Sequence, residues 1–498
     1  MKPFCEHDTS DKDPQRTKDM NNKLHKILSY LFPSFSDILW MASFFGVLVL
    51  GRGMMNGDGD LGRHLTLGRY ILDQGEIPLR DLFSHTLTRQ PLTPHEWLSQ
   101  LILALIERTF GLEGVIFLSA LVIAMTFWFV FKRGRRVSQS LITTFLVTFL
   151  AMDTSIVHWL TRPHLFTFLL LSMWMMTLHN LRQGKLNRWW VLPALMLLWA
   201  NLHGAFIAGF VTWFINGIGI GWDTFWHRFD EGKKLPVNFW RYYLLSGITA
   251  FFVTFLNPSG IDLWKTSIGY IGNKYLVDLT LEYRSPNFHK ITLWPFLLFI
   301  GLLLVVTSLS KKKMESGTMF NAVAWLVMGL YSARNIPLFA IIAAPLLTQG
   351  ISDILFNDSS RSKLINWFRN LENRIQNIDL QLKGVYWPVV SIVIVIVGLM
   401  MGFRFDYEGR EYGFSPEVFP IEAVNWLEKN PQEGEMFNYF IWGGYLLFRQ
   451  WPEQQVFIDG QTDFYGEELT RQYMQVMDVQ EGWEDVLDQY QVTWAILP

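Results

Sequence analysis

The sequence predicts an all-α polytopic membrane protein with a small α/β domain at its C-terminus. Three observations predict it. Half of the 498 residues are hydrophobic and only 17% are charged, against about a quarter in soluble domains. The apolar residues gather in blocks of membrane-spanning length, about 17–25 residues. Beyond residue 403 the pattern changes to short apolar runs separated by amphipathic stretches.

Residues 1–35 are polar and mixed in charge, with no early apolar run and no small-residue cleavage site. They read as a cytoplasmic N-terminal segment, and the first apolar block as an uncleaved signal anchor. Apolar blocks follow near 37–55, 114–131, 138–152, 163–180, 189–201, 204–222, 241–256, 291–309, 318–333, 335–350 and 385–403. Basic clusters alternate with them: KRGRR at 132–136, RQGKLNR at 182–188, the 223–241 loop, KKK at 311–313 and the 351–384 loop. The positive-inside rule puts each cluster and the N-terminus on the cytoplasmic side. That gives about eleven crossings of the cytoplasmic (inner) membrane, with the C-terminus extracytoplasmic.

The segment EWLSQLILALIERTF at 96–110 interrupts the count. Its apolar core is too short to span and ends in Glu107 and Arg108. Counting it would also move KRGRR to the outer side, so it reads as an interfacial helix on the outer leaflet. The expected division is therefore a cytoplasmic segment 1–35, a transmembrane module 36–403 with its first outer loop at 52–113, and an extracytoplasmic α/β domain 404–498. In that last part, PEVFPIEAVNWLEKN reads as an amphipathic helix with Ile421, Val424 and Leu427 on one stripe. EMFNYF, QQVFIDG and VTWAILP read as strands, with helices EELTRQYMQVM and GWEDVLDQYQ between the last two.

Composition also excludes some functions. The net charge of −2 says little about partners, because what matters is where the charges sit, and no nucleic-acid partner is expected; the single cysteine, Cys5, excludes an intrachain disulfide and a cysteine-based metal site. NGDGDLGRHLTLGRY at 56–70 contains a literal G-x-G-x-x-G. A dinucleotide turn needs a short buried strand before it and room for a pyrophosphate. Here a long apolar run precedes it, and Asp58 and Asp60 stand where the anion would sit.

Polar residues concentrate in the outer loops: Asp58, Asp60, His64, Arg80, Asp81, His85, His95 and Glu96 in the first, and Asp153, His158, Arg162 and His164 in the second. Asn201 with His203, and Arg334 with Asn335, mark two more outer turns. Several loops placing acids, imidazoles and guanidiniums on one face is the pattern of a single site. A helix starting near Asp60 puts Asp60 and His64 one turn apart on one face. It puts Leu61, Leu65 and Leu72 on another, suited to resting on the membrane surface. The alternative for one aspartate is a helix cap. Arg162 and Arg334 are either phosphate clamps or snorkelling arginines at helix ends. Asp459 and Asp463 follow a strand and are expected to stabilise a turn.

The stretches DGDLGRHLTLGRYILDQGEIPLRDLFSHT, PHEWLSQ, TRPHLFTFLL, LWANLHGAFIAGF and FIWGGYLLFRQWPEQQVFIDGQTDFYG resemble bacterial polytopic proteins of the GT-C superfamily of membrane glycosyltransferases. The resemblance runs from about residue 37 to the end. Asp58, Asp60, His64 and Leu65 are in register with that group's D-x-D and His-Leu, while Gly62 and Arg63 stand where aromatics are common. The resemblance implies a polyprenyl-phosphate-linked sugar donor, inversion at the anomeric centre, an essential acid in the first outer loop and, in some members, a divalent metal such as Mg or Mn. It implies a glycan, lipid or protein acceptor outside the cytoplasm.

The residues accommodate that chemistry. Asp60, with Asp58 and His64, offers the acid–base group. Arg162 and Arg334, with His164, His203, Asn201, His95 and Glu96, offer binding to substrate and phosphate. Asp58, Asp60 and Asp153 offer carboxylates to a metal. Two other readings share the membrane body: a transporter or flippase for a lipid-linked or anionic substrate, and a non-catalytic scaffold with an outer binding domain. Against the transporter, no matching halves with paired Gly/Pro-interrupted helices stand out.

Overall fold

The computed structural model describes residues 28–57, 59–138, 140–226, 235–310, 313–357, 363–382, 386–403 and 413–498. Each apolar block contains a helix. Among the described residues seven helices are long and apolar enough to cross a membrane, and an eighth is counted if the bent pair Lys363–Gln381 and Tyr386–Met400 is one span. Three apolar blocks fall short on length: Val191–Leu202 has 12 residues, Ser316–Tyr331 has 16 and Tyr386–Met400 has 15. The chain is a multi-pass helical membrane protein.

The first helix, α1 (Phe35–Met55), starts at a capping box. Ser34 Oγ accepts from the Asp37 amide at 3.3 Å, and Asp37 accepts from the Ser34 amide at 2.9 Å. Such reciprocal bonds satisfy donors that the helix itself leaves open. Helix α2 (Asp60–Gln74) follows and ends at Gly75, whose φ of 69° suits a residue without a Cβ. Helix α3 (Trp97–Val137) breaks at Gly111, with φ 70° and ψ −166°.

That break separates the segment before it from the apolar stretch at 114–131. The charges that mark its end pair with α2: Arg69 with Glu107 at 2.6 Å and Arg108 with Asp73 at 2.5 Å. One face of α2 differs from expectation. Leu61 and Leu65 are buried in the protein core, 1% and 0% exposed, and do not rest on a membrane surface. The helix is clamped between α3 and the C-terminal segment, which leaves its apolar stripe inside the protein.

The loops sort into two ends of the bundle. At one end the Ser140 hydroxyl and the Ile142 amide donate to buried Glu372 at 2.9 and 3.0 Å. Arg182 meets Asp223 there at 3.0 Å. These are the loops that carry the basic clusters. At the other end lie the loops between, where the candidate residues gather.

The C-terminal segment forms a two-stranded parallel sheet, β1 (Glu435–Asn438) with β2 (Val492–Ile496), in the register Met436 to Trp494 and Asn438 to Ile496. Helices Ile421–Leu427, Thr462–Met477 and Trp483–Gln489 are as expected; Gly443–Gln450 is an additional one. The expected middle strand does not join the sheet. Val456 forms one bridge with Ser84 of the first loop. The Asn438 side chain takes the place of a strand ladder, accepting from the Phe457 amide at 2.8 Å and donating to the Ile458 carbonyl at 2.8 Å.

Candidate active site

Two connected clusters occupy the end of the bundle formed by the first loop. In the first, Asp60 opens α2. Gly59 is the N-cap and makes no side-chain cap bond, so Asp60 belongs to the first turn, where the dipole favours a carboxylate. Arg162 is brought beside it because the Thr161 amide donates to the Met54 carbonyl at 3.1 Å, tying the turn before Pro163 to the end of α1. Arg162 Nη1 donates to Asp60 at 2.6 Å, and Nη2 to Glu282 at 3.5 Å. Glu282 also faces Arg334 at 3.3 Å and His158 at 3.6 Å. Arg334 lies over the Tyr283 ring, 4.4 Å from its centre. Two guanidiniums therefore converge on one carboxylate beside Asp60.

The second cluster is centred on Glu96, with His203 at 3.3 Å, His64 at 3.8 Å and His95 at 3.9 Å. Each imidazole is oriented by a further bond. His64 Nδ1 meets the Gln100 amide at 3.1 Å, His203 Nδ1 meets the Thr167 hydroxyl at 2.8 Å, and His95 Nδ1 donates to the Thr93 carbonyl at 3.1 Å. Asp463 lies 3.7 Å from His95 and brings the C-terminal segment into the site.

Environment splits the titrating groups. Burial, helped by Arg162 and Arg63, holds His64 well below its ordinary value, so it is neutral. Burial also lowers His95, but Asp463 and Glu96 outweigh it and leave His95 raised. Burial pushes the Glu96 carboxyl up against the pull of His95 and Arg162. For Glu282 burial pushes up as well, but Arg334, Arg162 and His164 prevail and hold it below the usual range.

The structure thus brings Asp60, Arg162 and Arg334 together, and His64, His95, Glu96 and His203 beside them. His164 lies beneath, its Nε2 donating to the His158 carbonyl at 2.9 Å. Asn201 is committed to the frame: it accepts from Trp97 Nε1 at 2.8 Å and donates to the Leu197 carbonyl at 2.8 Å. Asp153 is exposed and lines a separate apolar recess with Gly46, Phe149 and Trp159. Asp58 lies outside the described residues.

Asp81 folds its own turn, accepting from the Ser84 amide at 2.9 Å, and His85 reaches the Met436 carbonyl at 3.0 Å. Asp459 does stabilise a turn, accepting from the Gln461 amide at 2.8 Å, but it also pairs with buried Arg63 at 2.9 Å. Glu282, Gln100 and the approach of Asp463 to His95 were not legible in sequence. Glu282 shares its loop with Asp262 and Asp278, and nothing local separates the three.

The carboxylates at the site are each matched to an arginine or imidazole. Among the described residues no group of three or more carboxylate, imidazole or thiol side chains is placed to hold a metal ion. The described carboxylates therefore form no metal centre by themselves, and Asp153 is not beside Asp60.

Neither a scan of protein-family models nor a search of curated proteins finds a match. Solved structures do match. The oligosaccharyltransferase of Archaeoglobus fulgidus in its apo form superposes with a TM-score of 0.57 at 11% identity, over 92% of this chain and 69% of that one. The same organism's AglB, in complex with an inhibitory peptide and a dolichol-phosphate, gives 0.57 at 10% identity over 92% and 69%. The form tethered to an acceptor peptide containing the NVT sequon gives 0.55 at 12% identity over 92% and 68%. The chain shares the fold of these oligosaccharyltransferases. On this frame the first-loop acid expected from the sequence, Asp60, opens the helix after the first span and faces Arg162.

Proposed function

We propose that this protein is an inverting membrane glycosyltransferase that moves a sugar from a polyprenyl-phosphate-linked donor to an acceptor outside the cytoplasm. The observation that carries the reading is the convergence of Arg162 and Arg334 on Glu282 beside Asp60. Two arginines around one displaceable carboxylate match what a departing phosphate requires. The similar AglB structure holds a dolichol-phosphate, which supports a lipid-phosphate donor here.

In the proposed reaction the acceptor hydroxyl oxygen attacks the anomeric carbon from the face opposite the phosphate. The carbon–oxygen bond to the phosphate breaks, and its electron pair leaves on the phosphate oxygen. Asp60 takes the hydroxyl proton. Arg162 and Arg334 neutralise the charge developing on the leaving phosphate, with Glu282 as their counter-ion before the donor binds. The orientation belongs to the same proposal, with the Asp60 end outside the cytoplasm and 404–498 an external domain completing the site.

The test is transfer in proteoliposomes with polyprenyl-phosphate sugars as donors. Donor-dependent glycosylation without flux of intact donor supports the reading. Flux without transfer makes the protein a transporter, and neither activity leaves a scaffold.

A further inference from the structure

At the end of the bundle away from Asp60, the basic loops meet around a guanidinium, Arg133, on which the charge of Glu315 acts but which has no hydrogen-bond partner for its buried Nε and Nη1 among the described residues. Arg133 lies in the last turns of α3 and is 5% exposed. His179 Nε2, on the helix His164–Arg182, is likewise buried without a hydrogen-bond partner among the described residues. The charges of Arg133, Arg136, Arg182 and Lys185 all act on that imidazole, so the groups are neighbours. Arg136 and Lys185 are exposed and form the rim, both turned to the neutral Asn180 side chain at 2.6 and 3.4 Å.

The carboxylates nearby are already engaged. Asp223 accepts from Arg182 at 3.0 Å and from the Ser316 hydroxyl at 2.5 Å, and Glu315 lies 3.3 Å from Arg182 Nε. A buried guanidinium without hydrogen bonds is a costly arrangement unless something completes it. What fits is an anion with several acceptor oxygens and more than one charge, because four cations act on the one imidazole of His179 and each offers only donors.

We propose that this cluster binds a phosphate group, either free or carried on a lipid headgroup, at a site separate from the Asp60 cluster. Arg133 forms the floor, and Arg136 and Lys185 close on the phosphate from the rim.

The full-length protein, purified in detergent and stripped of lipid, is titrated with inorganic phosphate and with dihexanoyl phosphatidic acid, dihexanoyl phosphatidylcholine being the control. The readout is the unfolding midpoint. A saturable rise with both phosphate ligands identifies the phosphate group itself, and a rise with phosphatidic acid alone identifies a headgroup. Arg133→Gln should weaken binding by about tenfold or more. Should Arg133→Gln fail to fold, the pair Arg136→Gln and Lys185→Ala, both at exposed positions, carries the same test. No saturable rise, an equal rise with phosphatidylcholine, or a rise removed by Arg162→Lys but untouched by the rim variants overturns the proposal.

Discussion

Replacing Arg162 separates a donor-phosphate clamp from a purely structural ion pair. Its Nη1 holds Asp60 at 2.6 Å and its Nη2 reaches Glu282 at 3.5 Å. The Arg162 side chain is 15% exposed, and those of Asp60 and Glu282 are 24% and 22% exposed. Lysine keeps the charge but offers a point donor, which cannot span two carboxylates or two phosphate oxygens. Truncating one member of a fully buried pair costs about 3–5 kcal/mol. Here the charge stays, the groups are partly exposed and Glu282 retains Arg334, so Arg162→Lys should cost about 1 kcal/mol of stability.

Turnover should respond far more. Losing a positioned donor to developing charge lowers kcat by about a hundredfold to a thousandfold. The two magnitudes are far enough apart to be read on one preparation, as an unfolding midpoint in detergent and an initial rate of transfer in proteoliposomes. Arg334→Lys, made in parallel, should behave similarly because the same carboxylate joins the two arginines. Unchanged turnover and donor affinity in both variants would refute the clamp and leave the arginines as frame residues.

Other substitutions test neighbouring steps. Asp60→Asn should keep the fold and lower transfer by about a hundredfold or more; normal transfer with and without added Mg or Mn would remove Asp60 from the mechanism. Gly62→Ala would place a Cβ 2.6 Å from the Gly444 carbonyl carbon and 3.0 Å from the Tyr445 nitrogen. It should destabilise by about 1–3 kcal/mol. Gly46→Ala, which meets nothing within 4 Å, is the control, and equal midpoints would contradict the packing. The depressed Glu282 contributes stability that is present above the unfolded carboxyl value of about 4.3 and is lost as pH falls through the folded value. Acid unfolding should therefore be steeper for the native chain than for Glu282→Gln, and parallel curves would argue against the depression. Single cysteines in a Cys5-free background should react with an impermeant maleimide when placed in 404–498 and not at 311–313; the reverse pattern would invert the topology.

What was legible in the sequence followed from periodicity and chemistry that act locally. Long apolar runs gave the helices, and alternating basic loops gave the two ends of the bundle. The polar residues flanking the spans supply most of the candidate cluster, because a guanidinium or imidazole next to an apolar block has few places to go. The misses came from contacts between distant segments. Leu61 and Leu65 look like a membrane-facing stripe until the C-terminal segment and α3 are seen to enclose α2. QQVFIDG has strand character, but Asn438 and Ser84 occupy its hydrogen-bonding edges. Glu282 becomes distinctive only once its loop returns between Arg162 and Arg334.

The glycine run of the first loop shows how one such contact shapes the site. A Cβ at Gly59 would lie 2.9 Å from the Ile441 carbonyl carbon, and one at Gly444 would lie 3.1 Å from the Arg63 nitrogen. The backbones of α2 and of the helix Gly443–Gln450 therefore cross with no room for side chains. A bulky residue at 62 is excluded, and its neighbour Arg63 is carried into the same interface, where Asp459 receives it at 2.9 Å. This accounts for the glycine at 62 and the arginine at 63. A Cβ at Gly460 would lie 2.7 Å from the Asp60 carboxyl carbon. The turn after Asp459 thus closes directly on the first-loop acid. Loosening the C-terminal segment should then lower transfer as well as stability, because it forms a wall around Asp60.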